Sequence, residues 1–318
     1  MSTGTLSDRS IQKIPFIVGP TAVGKTATAI ELARRLDGEI ISIDSRQVYK
    51  GLDAGTAKPT LRQQQEIPHH LIDILELTEQ ISAGSYRELA LKTVSEILSR
   101  GKLPVFVGGS GMYVKAVIQG IFQESVTDAT VRQKIKSELK EKGSAILYNR
   151  LVDIDPDLAI KTHMNDIKRI TRALEIYEIT GKPPSEHYKT QETDPPFPHR
   201  IFVLTMEREK LYERINQRVD QMIADGLEDE VKRFLRSGLR GDMDALQTLG
   251  YREALVYLDK KCSFDGMVEN IKRNTRRYAK RQLTWFRNQL EATWITDSEE
   301  QSIPDVAEII INQLVGIR

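Results

Sequence analysis

The stretch that most restricts what this chain can fold into is Gly19-Pro20-Thr21-Ala22-Val23-Gly24-Lys25-Thr26. It fits the pattern G-x-x-x-x-G-K-[ST], and its flanks fit too. An apolar, β-prone run, Ile14 to Val18, precedes it, and a helical pattern, Ala27 to Leu36, follows. A strand that delivers the chain to a tight loop opening a helix lets the backbone N–H groups curl around an anion. Gly19 and Gly24 allow the curl, Lys25 adds a point charge, and the Thr26 hydroxyl is of the type that ligates Mg²⁺. The predicted element is therefore a phosphate-gripping P-loop. The phosphate compound and its purpose must be read from elsewhere in the chain.

Strands continue to alternate with helices through the first third. Glu39 to Ile43 reads as a strand ending at Asp44, residues 45 to 70 as loop, and Leu71 to Leu75 as a brief strand. Ser85 to Ser99 has helical spacing, and Leu103 to Val107 is a buried strand running into Gly108-Gly109-Ser110-Gly111. This alternation predicts an α/β fold, a P-loop NTPase-like parallel sheet flanked by helices. Ligands of such sheets gather at the carboxyl ends of the strands. The P-loop, Asp44 and the Gly108–Gly111 loop all follow strands directly, so they are expected to line one cleft.

From about Phe122 to Pro198 the β-prone runs vanish. Two helical stretches, Ala129 to Val152 and Pro156 to Thr180, take their place, and a Pro-rich linker, Asp194 to Pro198, leads back to a strand at Arg200 to Leu204. The expected organisation is a catalytic core of residues 1–121 and 199–318, interrupted by an all-helical insertion domain, 122–198. Beyond the linker, helices are expected at Glu207 to Asp225, Leu227 to Ser237, Gly250 to Leu258, Phe264 to Leu290 and Pro304 to Val315. Thr293 to Thr296 is expected as an edge strand. No run reaches the roughly 18 apolar residues of a membrane span, and residues 1 to 12 read as a polar tail. The single cysteine, Cys262, excludes an internal disulfide framework and suits a reducing cytosol, so a cytoplasmic protein is expected.

Asp44 is the one well-placed strand-end carboxylate of the first third. It suits either of two roles, holding a magnesium-bound water or acting as a general base beside the phosphates. Its neighbours Ser45, Arg46 and Gln47 suit hydrogen bonding to a base edge. With a net charge of +1, any polyanionic partner must be met by local clusters. The run Lys272 to Arg287 holds seven basic residues and no acidic one. On a helix Arg273, Arg277 and Arg281 stack at i+4 spacing, a stripe suited to a phosphate backbone. A second basic cluster, Lys168-Arg169-Ile170-Thr171-Arg172, lies in the insertion; helical spacing alone leaves it open between a nucleic-acid face and a solvated one. Arg218, with Arg214 one turn earlier, is placed either to clamp a leaving phosphate or to pair with an acid. His69-His70 has poor spacing for chelating a metal. On these residues alone, a small-molecule kinase and a nucleotide-switched RNA-binding protein remain alternatives to an enzyme acting on RNA.

Eight ordered blocks add a resemblance: GPTAVGKT (19–26), DSRQVYKGLDAGTAKP (44–59), PHHLID (68–73), GGSGMY (108–113), RITRALEIYEITGKP (169–183), RINQRVDQMIADGLEDEV (214–231), LGYRE (249–253) and TRRYAKRQLTWFR (275–287). Along nearly its whole length the chain resembles the tRNA dimethylallyltransferase (tRNA isopentenyltransferase) family. The resemblance implies transfer of a dimethylallyl group from dimethylallyl diphosphate to N6 of the adenine 3′ of the anticodon, in tRNAs reading codons that start with U. It recasts the loop of Gly19, Pro20, Thr21, Ala22, Val23, Gly24, Lys25 and Thr26 as the cradle of a diphosphate leaving group. Mg²⁺ would sit on Thr26, Asp44 would be the base, and Lys25 and Arg218 would meet the departing charge. It implies tRNA contacts at Asp44 to Gln47, Ser110, Arg132, Lys168 to Arg172, Thr248, Leu249, Gly250, Tyr251, Arg252 and Glu253, with Arg277 and Arg281 added from the basic stripe. The insertion would grip the anticodon stem-loop of the tRNA, and the expected state is a monomer. Two departures stand out: Ser110 replaces a common threonine, and the cysteine/histidine finger of many eukaryotic members is absent, as in the compact bacterial form.

Overall fold

The computed structural model describes residues 13–120, 128–189, 195–297 and 301–316. The expected tail at residues 1–12, the start of the insertion at 122–127 and Asp194 of the linker lie outside the described residues. Strand β1 (Ile14–Val18) is wholly buried and leads through the P-loop into α1 (Lys25–Arg35). Next come β2 (Gly38–Ser42), a short α2 (Leu61–Glu66), β3 (His69–His70), α3 (Ala83–Ser99), β4 (Leu103–Gly108) and α4 (Gly111–Gln119). The sheet is parallel throughout, in the order β3-β2-β4-β1, and is completed by β5 (His199–Met206) and β6 (Thr293–Asp297) at the far edge. The expected parallel α/β sheet and its edge strand are both present.

The strand expected at Leu71 to Leu75 lies two residues earlier, at His69–His70. Leu71 and Asp73 have φ of 61° and 55°, which breaks an extended run, and Leu75 makes only an isolated bridge to Tyr49. The region read as loop from 45 to 70 also contains α2, which starts at a Thr60–Gln63 capping box.

The chain divides into two compact units, one running to Val117 and resuming at Pro195, the other Ile118–Asp194. The second unit is helical: α5 (Ala129–Lys142), α6 (Ser144–Ile154), α7 (Pro156–Ala159), α8 (Ile167–Thr180) and α9 (Pro184–Lys189). The two long helices expected here are each broken. Gly143 (φ 82°) separates α5 from α6, and a turn at 160–166 separates α7 from α8, whose new start is capped by Asp166. Ile135, Leu147, Leu151, Leu158, Ile170, Ala173 and Leu174 form this unit's own core.

In the first unit, helices α10 (Arg208–Ala224), α11 (Leu227–Arg236), α12 (Tyr251–Leu258), α13 (Phe264–Gln289) and α14 (Ile303–Leu314) follow β5. Helix α13 buries Met267, Ile271, Thr275, Ala279, Gln282 and Phe286 at three- and four-residue spacing, so one face is sealed along 26 residues. Arg273, Arg277, Lys280 and Arg281 lie on the exposed remainder. Among the described residues no helix is long and apolar enough to cross a membrane.

Because β4 lies between β2 and β1, the three loops leaving their carboxyl ends are neighbours. Contact is close enough to require missing side chains. A Cβ on Gly108 would lie 2.4 Å from the Ile43 carbonyl oxygen, and one on Gly19 would lie 2.5 Å from that of Leu204. Backbone cannot yield as a side-chain tip can. Gly108→Ala is therefore expected to destabilise by about 1–3 kcal/mol, seen as a lower apparent thermal midpoint; an unchanged midpoint would show that the β2 and β4 ends separate freely.

Candidate active site

The P-loop enters helix α1 through Gly24, whose φ of 99° is one a side chain rarely tolerates. Its outer wall is held by Gln282 from α13. The Gln282 carboxamide accepts from the Thr21 N–H at 3.0 Å and donates to the Gly109 carbonyl at 3.0 Å, tying the P-loop to the glycine loop after β4. The glycines there are needed for this approach. A Cβ on Gly109 would lie 2.3 Å from Gln282 Nε2, and one on Gly111 would lie 2.3 Å from the Trp285 ring. Sequence reasoning missed Gln282, although an amide on the buried stripe of the helix was a signal.

On the other side of the same loop, Ser110 Oγ accepts from the Ser45 N–H at 2.8 Å and lies 3.2 Å from Ser45 Oγ. Asp44 Oδ1 accepts from the N–H groups of Arg46 (2.8 Å) and Gln47 (3.4 Å), a turn that fixes its carboxylate. Gln47 accepts from Ser42 Oγ at 2.9 Å and donates towards the Thr56 carbonyl at 3.4 Å. Arg46 reaches Asp244 at 3.1 Å. Tyr113 stacks on Tyr86 with ring centres 4.0 Å apart. Burial, then the neighbouring Tyr49, pushes the Tyr113 phenol up to about 12, and Asp44 adds to the shift. The Tyr278 phenol is likewise pushed up to about 12, by burial first and Asp44 second. Both phenols therefore stay protonated well past neutral pH.

Lys25 donates to the Pro20 carbonyl at 2.6 Å. Burial, reinforced by the Arg218 charge, lowers its amine to about 7, against the pull of Asp44. Burial lowers Arg218 too, again with Asp44 opposing. Arg218 Nη2 donates to the Thr56 carbonyl at 3.2 Å, while its Nε is buried with no hydrogen-bond partner. A guanidinium, a lysine amine of lowered basicity and one carboxylate thus meet at the P-loop, which is the chemistry of an anion site.

The remaining expected residues divide by burial. In 248–253 only Leu249 and Arg252 keep appreciable surface; Thr248, Gly250, Tyr251 and Glu253 are buried. Glu253 Oε2 accepts from the Gly250 N–H at 2.8 Å, and its other oxygen accepts from Arg252 and from Asn274 (2.9 Å). These side chains build the loop. Within the helical unit Lys168 and Arg169 are exposed, Ile170 is core, and Thr171 bonds back to the Ile167 carbonyl. Arg132 and Arg172 both pair with the buried Glu175, at 3.0 and 2.9 Å. Arg277 is exposed, and the Arg281 guanidinium lies 5.8 Å from the Tyr278 ring centre. His70 pairs with Glu39 at 2.6 Å at the sheet edge; among the described residues no group of three or more His, Cys, Asp or Glu could hold a metal.

The family model for IPP transferase matches residues 47–289. The chain belongs to the IPP transferase family. It is 47% identical over 302 residues to the tRNA dimethylallyltransferase of Acetivibrio thermocellus, covering 93% of this chain and 96% of that protein. Among solved structures, the full-length tRNA isopentenylpyrophosphate transferase of Bacillus halodurans matches with a TM-score of 0.71 at 42% identity, covering 96% of this chain and 98% of that one. A eukaryotic dimethylallyltransferase, described as acting on tRNA, matches with a TM-score of 0.81 at 29% identity over 96% of this chain and 80% of its own.

The lowered Lys25 amine has a signed consequence. A bound anion raises its pKa, so binding takes up a proton wherever the free lysine is neutral. Above about pH 7 that uptake approaches one, and the lysine's contribution to affinity falls with rising pH. Calorimetry of inorganic diphosphate binding at pH 8, in buffers of different ionisation enthalpy, is expected to show more proton uptake by the wild-type protein than by Lys25→Arg, since the ligand's own ionisation is common to both; an equal uptake in both proteins would remove Lys25 from the anion site.

Proposed function

We propose that this protein transfers a dimethylallyl group from dimethylallyl diphosphate to N6 of the adenine 3′ of the anticodon in tRNAs reading codons that start with U. The observation that carries this reading is the meeting of Lys25 and Arg218, both held below their ordinary pKa by burial, with the lone carboxylate of Asp44 at the P-loop. The orphaned Arg218 Nε is a donor in want of an acceptor. A diphosphate supplies acceptors and negative charge at the place where both are lacking, and family membership supports the allylic donor.

In the reaction N6 forms a bond to the allylic carbon as the bond from that carbon to the diphosphate oxygen breaks. Charge grows on the leaving oxygens, where the P-loop N–H groups, Lys25 and Arg218 stabilise it most. Asp44 orients the amine and accepts the proton it sheds, its Oδ1 already fixed by two backbone donors. The adenine must leave its stack to reach this carboxylate. Ser45, Gln47 and Ser110, bonded into one rim beside Asp44, read its edge.

The donor set also fits Mg²⁺ in a limited way. Thr26 offers a hydroxyl and Asp44 a carboxylate, too few for a protein-only cage, so the ion would enter with the diphosphate and take most of its oxygens from it. Thr26 would hold it, and the ion would neutralise leaving-group charge. Exposed Arg277 and Arg281 on α13, Arg252 in the first turn of α12, and Lys168, Arg169, Arg132 and Arg172 in the helical unit supply phosphate contacts for the anticodon stem-loop. The protein acts as a monomer in the cytoplasm.

Incubation with labelled dimethylallyl diphosphate or labelled ATP, each with unmodified tRNA, tests the reading. The allylic label is expected on the anticodon-loop adenine; movement of a phosphate label to a metabolite would instead make this a kinase. Asp44→Asn keeps the Oδ1 acceptor and removes the charge, so turnover is expected to fall by about two orders of magnitude or more while tRNA affinity changes little. Near-normal turnover would end the assignment of Asp44 as base. Replacing Arg277 and Arg281 together by alanine is expected to reduce the slope of log affinity for tRNA against log salt by roughly 1.5; an unchanged slope would return that face of α13 to plain solvation.

A further inference from the structure

One buried carboxylate in the first unit is used by none of these steps. Glu230, on α11, is 4% exposed, and a fully buried acid demands compensation. It receives it from backbone. Glu230 Oε1 accepts from the Asp53 N–H at 3.1 Å and Oε2 from the Ala54 N–H at 3.2 Å. Tyr251, at the start of α12, donates its hydroxyl to Glu230 Oε1 at 2.5 Å and accepts from the Gly55 N–H at 3.1 Å. Burial, and then Glu230, push this phenol far up, so it remains a donor. Three consecutive N–H groups of one loop thus end on a single Glu–Tyr pair. Gly55 lies so close that a Cβ there would sit 2.3 Å from the Tyr251 ring. The same loop is held on its far side by Lys58, which bonds the Tyr49 carbonyl at 2.6 Å and Asp53 at 2.8 Å.

The next carbonyl along is that of Thr56, and two side chains of the candidate active site converge on it: Arg218 through Nη2 at 3.2 Å, and Gln47 through Nε2 at 3.4 Å. For Arg218 this is the hydrogen bond that aims the guanidinium, since its Nε has no protein partner. A charged group held by one carbonyl is only as well placed as that carbonyl.

We infer that Glu230 and Tyr251 are positioning residues, which hold loop 53–56 so that the Thr56 carbonyl aims Arg218 at the leaving group. The inference deepens the proposed prenyl transfer and rests on it for the meaning of the aim. It reassigns Tyr251 from a tRNA contact to a brace behind the loop. Neither residue touches substrate; both act through Thr56.

The test uses Tyr251→Phe, which removes one hydroxyl and little volume, and Glu230→Gln, which keeps the shape and sets an NH₂ group against a backbone N–H. With dimethylallyl diphosphate and unmodified tRNA, each is expected to lower kcat about tenfold or more while KM for tRNA stays within about twofold. If the effect passes through Arg218, adding either substitution to Arg218→Gln is expected to cost less than about twofold. A tenfold loss in both backgrounds would mark the pair as merely structural, and no loss in either would overturn the inference. Inorganic diphosphate supplies a readout independent of prenyl transfer. Arg218 donates to the Thr56 carbonyl, so a guanidinium that loses this aim is expected to weaken diphosphate binding about tenfold in both variants and to add little in Arg218→Gln; unchanged affinity overturns the inference. A wild-type protein that transfers no prenyl group, but whose diphosphate affinity falls in the variants, would sink the proposed reaction and leave the positioning intact.

Discussion

Positive charge held out of water at the mouth of the P-loop is the constraint to which the rest of this structure answers. Lys25 and Arg218 are buried near one another, and Asp44 is the carboxylate that both of them feel. Such an arrangement is costly by itself, because burial and mutual repulsion act in the same direction. A polyanion offsets that cost. This is the property the proposed transfer asks of the site, since there the charge on the leaving group grows during the reaction.

Three loops make that arrangement possible, and the order of the strands brings them together. With β4 between β1 and β2, the glycine loop after β4 is bonded on one side to the P-loop through Gln282 and on the other to the Asp44 turn through Ser110. Glycines at 19, 108, 109 and 111 are where a side chain would collide with the adjoining loop or helix. The pieces are held rigidly where the Gln282 carboxamide bonds the Thr21 N–H and the Gly109 carbonyl, and where Ser110 Oγ accepts from the Ser45 N–H. That rigidity is what a transfer between two bound substrates needs, since reacting atoms misplaced by about 1 Å cost roughly a hundredfold in rate.

Much of the fold was legible because it rests on local signals. The strand–loop–helix pattern around Gly19–Thr26, the apolar runs of β1, β2 and β4, and the four-residue rhythm of α13 each arise from near neighbours. Misreadings occurred where a local signal was weak or overridden. The brief strand shifted from Leu71–Leu75 to His69–His70 because Leu71 and Asp73 take positive φ. The helical stretches of the insertion broke at Gly143 and at the 160–166 turn, since a helical period says little about where a cap will interrupt it. At the candidate site, Asp44, Lys25, Arg218 and Ser110 were all picked out in the chain. The resemblance implied tRNA contacts along LGYRE; Tyr251 and Glu253 face inward, and a tyrosine and an acid in sequence carry no mark of which partners they will find.

By itself the sequence determined a parallel α/β sheet, a glycine-bearing loop between strand and helix, a strand-end acid and a one-sign basic stripe, because these follow from spacing, residue type and the order of elements. Only the tertiary structure decided that Gln282 walls the P-loop, that Glu230 and Tyr251 stand behind loop 53–56, and that Lys25 loses much of its basicity beside Arg218. Those properties depend on groups up to 261 positions apart in the chain meeting out of water. Burial and the company of other charges are set by packing, not by the order of residues along the chain.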